Sequence, residues 1–316
     1  MFSYKKVIDA IPPQLKDATV AGIGIFIAFI GFQNAGIVAA DEATLMTLGD
    51  ITSPTTVLAL FGLIVTAIML VRGFSAAVFF GMIITSVTGI MTGLIPLPSQ
   101  MISTPPSLAP TFGVAITELP NILQPEMFTV VFTVLFVNFF DATGTIIAVT
   151  KKAGFLKDDK LPRAKQALGS DATSSVIAAI LGTSTTNSYI ESASGVAAGA
   201  RTGFASIITA VCLFLFLFLS PLLEVVTDAV TAPALIIVGV LMASSMGAIT
   251  WDKMEYAIPA FVTIIAMPLT HSIANGLALG FIAYPILKIV KGDYKKVHPI
   301  MYLIIFIFIA YFIWLA

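Results

Sequence analysis

An all-α polytopic membrane protein is what this sequence predicts, on three features: its hydrophobicity, the spacing of its charges, and the sorting of those charges between alternate loops. Hydrophobic residues make up 58% of the 316 positions and charged residues only 10%, against about 25% charged in a soluble domain. Too few polar residues remain to cover an object of this size in water. Residues 18–40, 51–71, 73–117, 172–190, 202–223, 229–251 and 297–316 contain no Asp, Glu, Lys or Arg, and a hydrocarbon core takes roughly 20 apolar residues to cross.

Taken in order, these gaps and their flanks predict spans near 18–40, 54–71, 74–95, 127–150, 166–183, 188–200, 204–222, 231–248, 255–270, 271–289 and 299–315. Lys5, Lys6 and Lys16 precede the first span, Arg72 follows the second, and a dense group from Lys151 to Lys165 follows 127–150. Arg201, Lys253 and the group Lys288 to Lys296 complete the basic set. The remaining loops, 41–53, 96–126 and 223–230, hold Asp41, Glu42, Asp50, Glu118, Glu126, Glu224 and Asp228 and no basic residue. Positive charge marks the cytoplasmic side, so the N-terminus and the basic loops are expected inside the cell membrane. The last segment, 299–315, is read as a span, a re-entrant segment or an interfacial helix, with its Tyr and Trp residues as interface anchors.

Cys212, the single cysteine, lies in an apolar run, which excludes a disulfide framework and a cysteine metal cluster. The net charge of −1 points to no nucleic-acid partner. An internal repeat is visible at an offset of 199, where Phe61–Gly81 falls on Ala260–Gly280, Gly81 on Gly280 and Arg72 on His271. Such symmetry is common in secondary transporters.

Polar residues interrupt the apolar pattern at membrane depth in three places. Asn138, Asp141 and Thr145 share one span near one helical face, and a charged carboxylate there has to face a polar cavity or a partner. Residues 183–187, Thr-Ser-Thr-Thr-Asn, are too rich in β-branched and hydroxyl side chains to continue the preceding helix, and Gly182 is its expected stop. They predict a short extended segment followed by a half-length helix over 188–200 with Glu191 in its first turn, an arrangement tolerated in lipid only where it lines a cavity. Gly195 and Gly199 then form a small-xxx-small spacing that reads first as close helix packing. Asp141 and Glu191 have no basic residue at the same depth, which makes them a poor structural pair and a good site for hydrogen-bond donors. His271 reads as a turn residue ahead of a proton relay, and Asp171 as an N-terminal cap or dipole partner.

Several of these stretches resemble the adenine/guanine/hypoxanthine permeases of the nucleobase:cation symporter-2 superfamily. They are Phe139-Phe-Asp-Ala-Thr-Gly-Thr145, Thr150-Lys-Lys-Ala-Gly-Phe-Leu156, Leu161-Pro-Arg-Ala-Lys-Gln-Ala-Leu168 and above all Gly182-Thr-Ser-Thr-Thr-Asn-Ser-Tyr-Ile-Glu-Ser-Ala-Ser-Gly-Val-Ala-Ala-Gly-Ala-Arg-Thr-Gly203. Ile11-Pro-Pro-Gln-Leu-Lys16 and Phe26-Ile-Ala-Phe-Ile-Gly-Phe-Gln-Asn-Ala-Gly-Ile37 fit the same group. The resemblance implies a fold of two inverted seven-helix repeats divided into core and gate domains. Residues 1–95 would be gate helices of the first repeat, 96–126 an extracytoplasmic loop, 127–222 the core helices of the second repeat, and 231–316 its gate helices and C-terminal segment.

By the same resemblance the chain lacks the first four helices, so a companion chain supplying them, or a homodimer partner, is an expected partner beside the lipid bilayer. The implied substrate is a purine nucleobase and the coupling ion H⁺, with no bound cofactor and no metal. Asp141 and Glu191 match the family's acidic substrate positions, and Tyr189 and Ile190 match positions whose backbone faces the base. Asn138, Thr145 and Ser192 complete the candidate substrate site. Thr145 stands where uracil-transporting relatives carry a His. Competing readings are a uracil, xanthine or anion carrier of the same fold, a membrane enzyme, and a non-transporting fragment. The two acids argue against an anion carrier, and the two His and one Cys, far from those acids in sequence, supply no recognisable catalytic set.

Overall fold

The computed structural model describes the chain apart from residues 1–9, 75, 99, 106, 123, 125–126, 128–130, 132–133, 136–137, 139–141, 144, 147–148, 151–152, 156–160, 190–191, 198 and 316. The principal helices are α1 (Pro13–Asn34), α2 (Pro54–Val71), α3 (Ala77–Met91), the single turns α4 (Val114–Thr117) and α5 (Leu119–Ile122), α6 (Ala164–Leu181), the short α7 (Ser192–Ala197), α8 (Phe204–Phe216), α9 (Asp228–Ala243), α10 (Met254–Leu269), α11 (Ile273–Val290) and α12 (Pro299–Leu315). Four helical stretches, Pro13–Asn34, Pro54–Val71, Phe204–Val225 and Asp228–Ala248, are long and apolar enough to cross a membrane. Helix α8 has no buried residue at all. A helix that is apolar on every side and covered by nothing needs lipid rather than water as its solvent.

Among the described residues, one element departs from an all-α architecture. Val38–Asp41 (β1) and Leu45–Leu48 (β2) pair antiparallel, Val38 opposite Leu48 and Asp41 opposite Leu45, within what the charges mark as an acidic loop. The Asp41 carboxylate closes the hairpin, accepting from the Ala43 and Thr44 amides at 3.0 and 2.8 Å and from the Thr44 hydroxyl at 2.8 Å. Those three donors hold its carboxyl below the usual carboxylate range.

The chain forms two compact units. One comprises residues 24–106 and 198–244, the other residues 1–23, 107–197 and 245–316. In the first, α2 and α3 pack against each other and both pack on α9. The pattern inverts that of a soluble protein. Small residues face inward, as in the i+4 stripe Ala77, Gly81, Thr85 and Gly89 of α3, while Val57, Phe61, Ile64 and Ile68 of α2 face outward. In lipid, apolar burial does not drive helices together, and small residues that let backbones approach do.

The Thr66 hydroxyl donates to the Gly62 carbonyl of its own helix and the Thr85 hydroxyl to the Gly81 carbonyl, both at 2.7 Å. Each threonine then lies against the glycine of the opposite helix, so that a Cβ on Gly62 or Gly81 would run into it. The same unit holds the second half of α1 against α9. A Cβ on Gly31 would lie 2.8 Å from Ile236 Cγ1 and 3.0 Å from the Ala232 carbonyl oxygen.

In the other unit α10 and α11 form a second tight helical hairpin. The Thr263 hydroxyl donates to the Pro259 carbonyl at 2.8 Å and abuts Gly280, as Thr66 abuts Gly81. His271 sits in the turn between these helices at φ +49°. Helix α12 lies along α11 through Met301, Ile304 and Phe308, which are buried, with the Phe281 and Phe308 rings edge to face at 6.2 Å. Lys288 falls within α11, not in the loop to which its charge assigns it. It is 2% exposed, with its ammonium 3.6 Å from Glu255 Oε1 and 4.1 Å above the centre of the Tyr256 ring, while Lys291 binds the same carboxylate from outside.

Candidate functional site

The expected interruption is present. Helix α6 ends at Leu181, Gly182 takes the left-handed conformation at φ +82°, residues 183–189 belong to no helix or strand, and α7 begins at Ser192. A helix that stops inside a bilayer leaves its last four carbonyls without partners, and here all four find one. The Thr183 amide donates to Ala178 O at 3.0 Å and the Gly182 amide to Ala179 O at 3.1 Å, a Schellman closure that requires the left-handed glycine. The Gly113 amide reaches Ile180 O at 2.7 Å, and the Thr111 hydroxyl is 3.4 Å from Leu181 O. The segment ahead of α4 therefore completes the end of α6, and a side chain at position 182 would collide with Thr111.

The non-helical segment is held by side chains of α6 itself. Asp171 Oδ1 accepts from the Ser188 amide at 3.0 Å and the Ser188 hydroxyl at 3.3 Å. The Ser175 hydroxyl donates to Thr186 O at 3.1 Å, and the Ser174 hydroxyl, bonded at 2.8 Å to Asp171 O, lies 3.3 Å from the same Thr186 carbonyl. This corrects the expectation for Asp171. The helix starts at Ala164, so Asp171 stands in its third turn and caps no N-terminus. Its role was legible only as a pattern, three polar side chains at i, i+3 and i+4 along one face of α6.

Among the candidate substrate residues, Asn138 is half-buried and Thr145 buried, both at helical positions. Their neighbour Thr143 is 4% exposed, and its hydroxyl has no hydrogen-bond partner among the described residues. Tyr189 is exposed, and Ser192 opens α7 with its amide donating to Tyr189 O at 3.1 Å. Asp141, Ile190 and Glu191 lie outside the described residues. Asn138, Thr145, Tyr189 and Ser192 fall within one compact unit. Close packing does not account for Gly195 and Gly199: among the described residues a Cβ on either meets nothing within 4 Å, and Gly199 instead has φ +108°. Among the described residues no three His, Cys, Asp or Glu side chains cluster as a metal site would.

Apolar helices of spanning length, a helix with no buried residue and an interrupted helix with its end satisfied define a multi-pass membrane protein of the kind that moves solutes. The chain belongs to the Permease family, whose model matches residues 1–279, and it is a permease rather than an enzyme. It is 56% identical to the guanine/hypoxanthine permease PbuG of Bacillus subtilis (strain 168) over 311 residues, 98% of this chain and 71% of that protein. Identity is 43% to the guanine/hypoxanthine permease PbuO of the same organism, covering 94% of this chain and 69% of the relative. With the adenine permease AdeQ of Escherichia coli (strain K12) it is 39%, over 92% of this chain and 65% of that protein.

Proposed function

We propose that the chain carries purine nucleobases such as guanine, hypoxanthine or adenine across the cell membrane by proton-coupled alternating access. The observation that carries this reading is the 56% identity to a guanine/hypoxanthine permease along 98% of the chain. A purine presents N–H donors along a flat ring edge, and a carboxylate accepts two such bonds in a fork that also fixes orientation. Glu191 is the acceptor for the ring N–H and its neighbour, and Asp141 supplies a second polar contact. Tyr189 and Ile190 contribute backbone, Asn138, Thr145 and Ser192 line the site, and one of the two acids carries the coupled proton.

The fold in this reading is the second half and part of the first half of a seven-plus-seven inverted repeat. Core helices over 127–222 rock against gate helices over 18–95 and 231–289, and the basic loops and N-terminus lie in the cytoplasm. Paired helical hairpins, each seating a glycine of its second helix on a threonine of its first, support the repeat. The test is uptake of radiolabelled guanine, hypoxanthine and adenine by cells that lack purine uptake of their own. Glu191→Gln is expected to abolish saturable uptake while the protein still reaches the membrane, and uptake equal to wild type would remove Glu191 from the site.

A further inference from the structure

The residues between Gly182 and α7 present a problem that composition does not solve. Seven residues outside any helix or strand carry amides and carbonyls that a continuing helix would have paired internally. Three of those groups are paired by α6. Ala178 O takes the Thr183 amide, the Ser175 hydroxyl reaches Thr186 O, and Asp171 takes the Ser188 amide. Positions 171, 174, 175 and 178 follow i, i+3, i+4 and i+7, so one face of α6 runs alongside the segment and fixes it at intervals.

Asp171 is the far end of this clasp, and one of its oxygens accepts from both the amide and the hydroxyl of Ser188. Its bond also falls nearest the candidate site. Ser188 immediately precedes Tyr189, and two residues separate it from Glu191.

We propose that Asp171 is a positioning residue for base binding: it contacts no substrate, but by holding Ser188 it fixes the backbone that leads through Tyr189 into the proposed purine-binding stretch, and so sets affinity for the base. The inference rests on the reading of that stretch as the purine site. What the acceptor supplies is an oxygen at a defined place, not a charge, which separates it from Glu191. Asp171→Asn keeps the oxygen, and Asp171→Ala removes it. From the other end of the same bond, Ser188→Ala leaves the amide donor intact and Ser188→Pro deletes it.

The experiment uses the full chain purified in detergent, with guanine binding and amide exchange of the 183–189 segment measured side by side. Asp171→Ala is expected to weaken guanine binding by about tenfold, the usual cost of leaving one donor without its acceptor, and to accelerate exchange in 183–189 while leaving α9, α10 and α11 unchanged. Asp171→Asn restores both. Ser188→Pro matches Asp171→Ala, and the double variant is no worse than either alone. Unchanged exchange at 183–189 in Asp171→Ala overturns the proposal, as does faster exchange with guanine affinity intact, or acceleration spread over the whole chain.

Should Asp171→Ala not fold, Ser188→Pro against Ser188→Ala decides the same question. A wild-type chain that binds no purine would count against the proposed function. In that case exchange alone decides whether Asp171 holds the segment: local acceleration reversed by Asn supports the clasp, and its absence overturns it.

Discussion

Replacing Gly239 of α9 with Ala tests how closely α1 and α9 depend on small residues. The added Cβ would lie 2.5 Å from the Gly24 carbonyl oxygen, 2.6 Å from Ala28 Cβ and 2.9 Å from Ala28 N, whereas heavy atoms settle at roughly 3.5–4 Å. The shortfall is about 1 Å, and two of the three obstructing atoms are backbone, so no rotamer change relieves it. Helix α1 has to move away from α9. Overpacking costs about 1–3 kcal/mol, and the absence of a yielding side chain puts this site at the upper end. Against this stands the roughly 0.5–1 kcal/mol gained when alanine replaces a glycine within a helix.

The net expectation is a loss of about 1–2 kcal/mol, near a tenfold shift in the folding equilibrium, read by denaturant titration in detergent micelles. Gly169→Ala is the control, since a Cβ there meets nothing within 4 Å, and it is expected to be neutral or mildly stabilising. Gly24→Ala should resemble Gly239→Ala, because its Cβ would lie 2.5 Å from Met242 Cβ and 2.8 Å from the Gly239 carbonyl oxygen. The double variant should then cost less than the sum, the helices having already parted. A Gly239→Ala protein as stable as the Gly169→Ala control would refute close backbone contact between α1 and α9.

Two other outcomes follow from polar contacts. Glu255→Gln should lower the unfolding temperature more than Lys288→Met, because the first leaves a buried ammonium facing the Tyr256 and Tyr284 rings without its carboxylate and the second leaves Glu255 still paired with exposed Lys291; equal losses would argue against a buried role for Lys288. Asp41 has its carboxyl held below its unfolded value, so what it gives the hairpin is fully present above that unfolded value and is lost as the pH falls through the depressed one. Amide exchange at Ala43 and Thr44, compared at equal intrinsic rate, should therefore lose protection on acidification in wild type and be already fast and insensitive in Asp41→Ala.

The spans were legible because charge is costly in lipid and its absence is easily seen. The boundaries of α2, Pro54–Val71, match the span expected within the charge gap 51–71, and α6 ends beside Gly182, its expected stop. What escaped was decided by neighbours distant in sequence. Lys288 carries the signature of a cytoplasmic loop, yet Glu255 and two tyrosines give it a buried place in α11. Asp171 looks like a cap because it follows a basic loop; its partner is an amide 17 residues away that the interruption itself exposes. The β-hairpin rests on an Asp41 turn, a local signal hidden in a stretch already read as acidic loop. Of the site, the polar interruption could be read directly, since glycine followed by hydroxyl-bearing residues cannot extend an apolar helix. The bonds that fix it in place could not.

The two threonine–glycine hairpins bear on biosynthesis. Thr66 meets Gly81 and Thr263 meets Gly280, so each pair of helices completes its closest contacts through residues fewer than twenty positions apart, across a turn of a few residues. Contacts this local form early and quickly. Each hairpin can zip shut as its second helix leaves the ribosome, with the Thr66, Thr85 and Thr263 hydroxyls already satisfied by carbonyls of their own helices. A nascent chain built this way enters the bilayer as paired helices with those three hydroxyls already paired, and the longer-range docking of α1 on α9 is left to the end of synthesis.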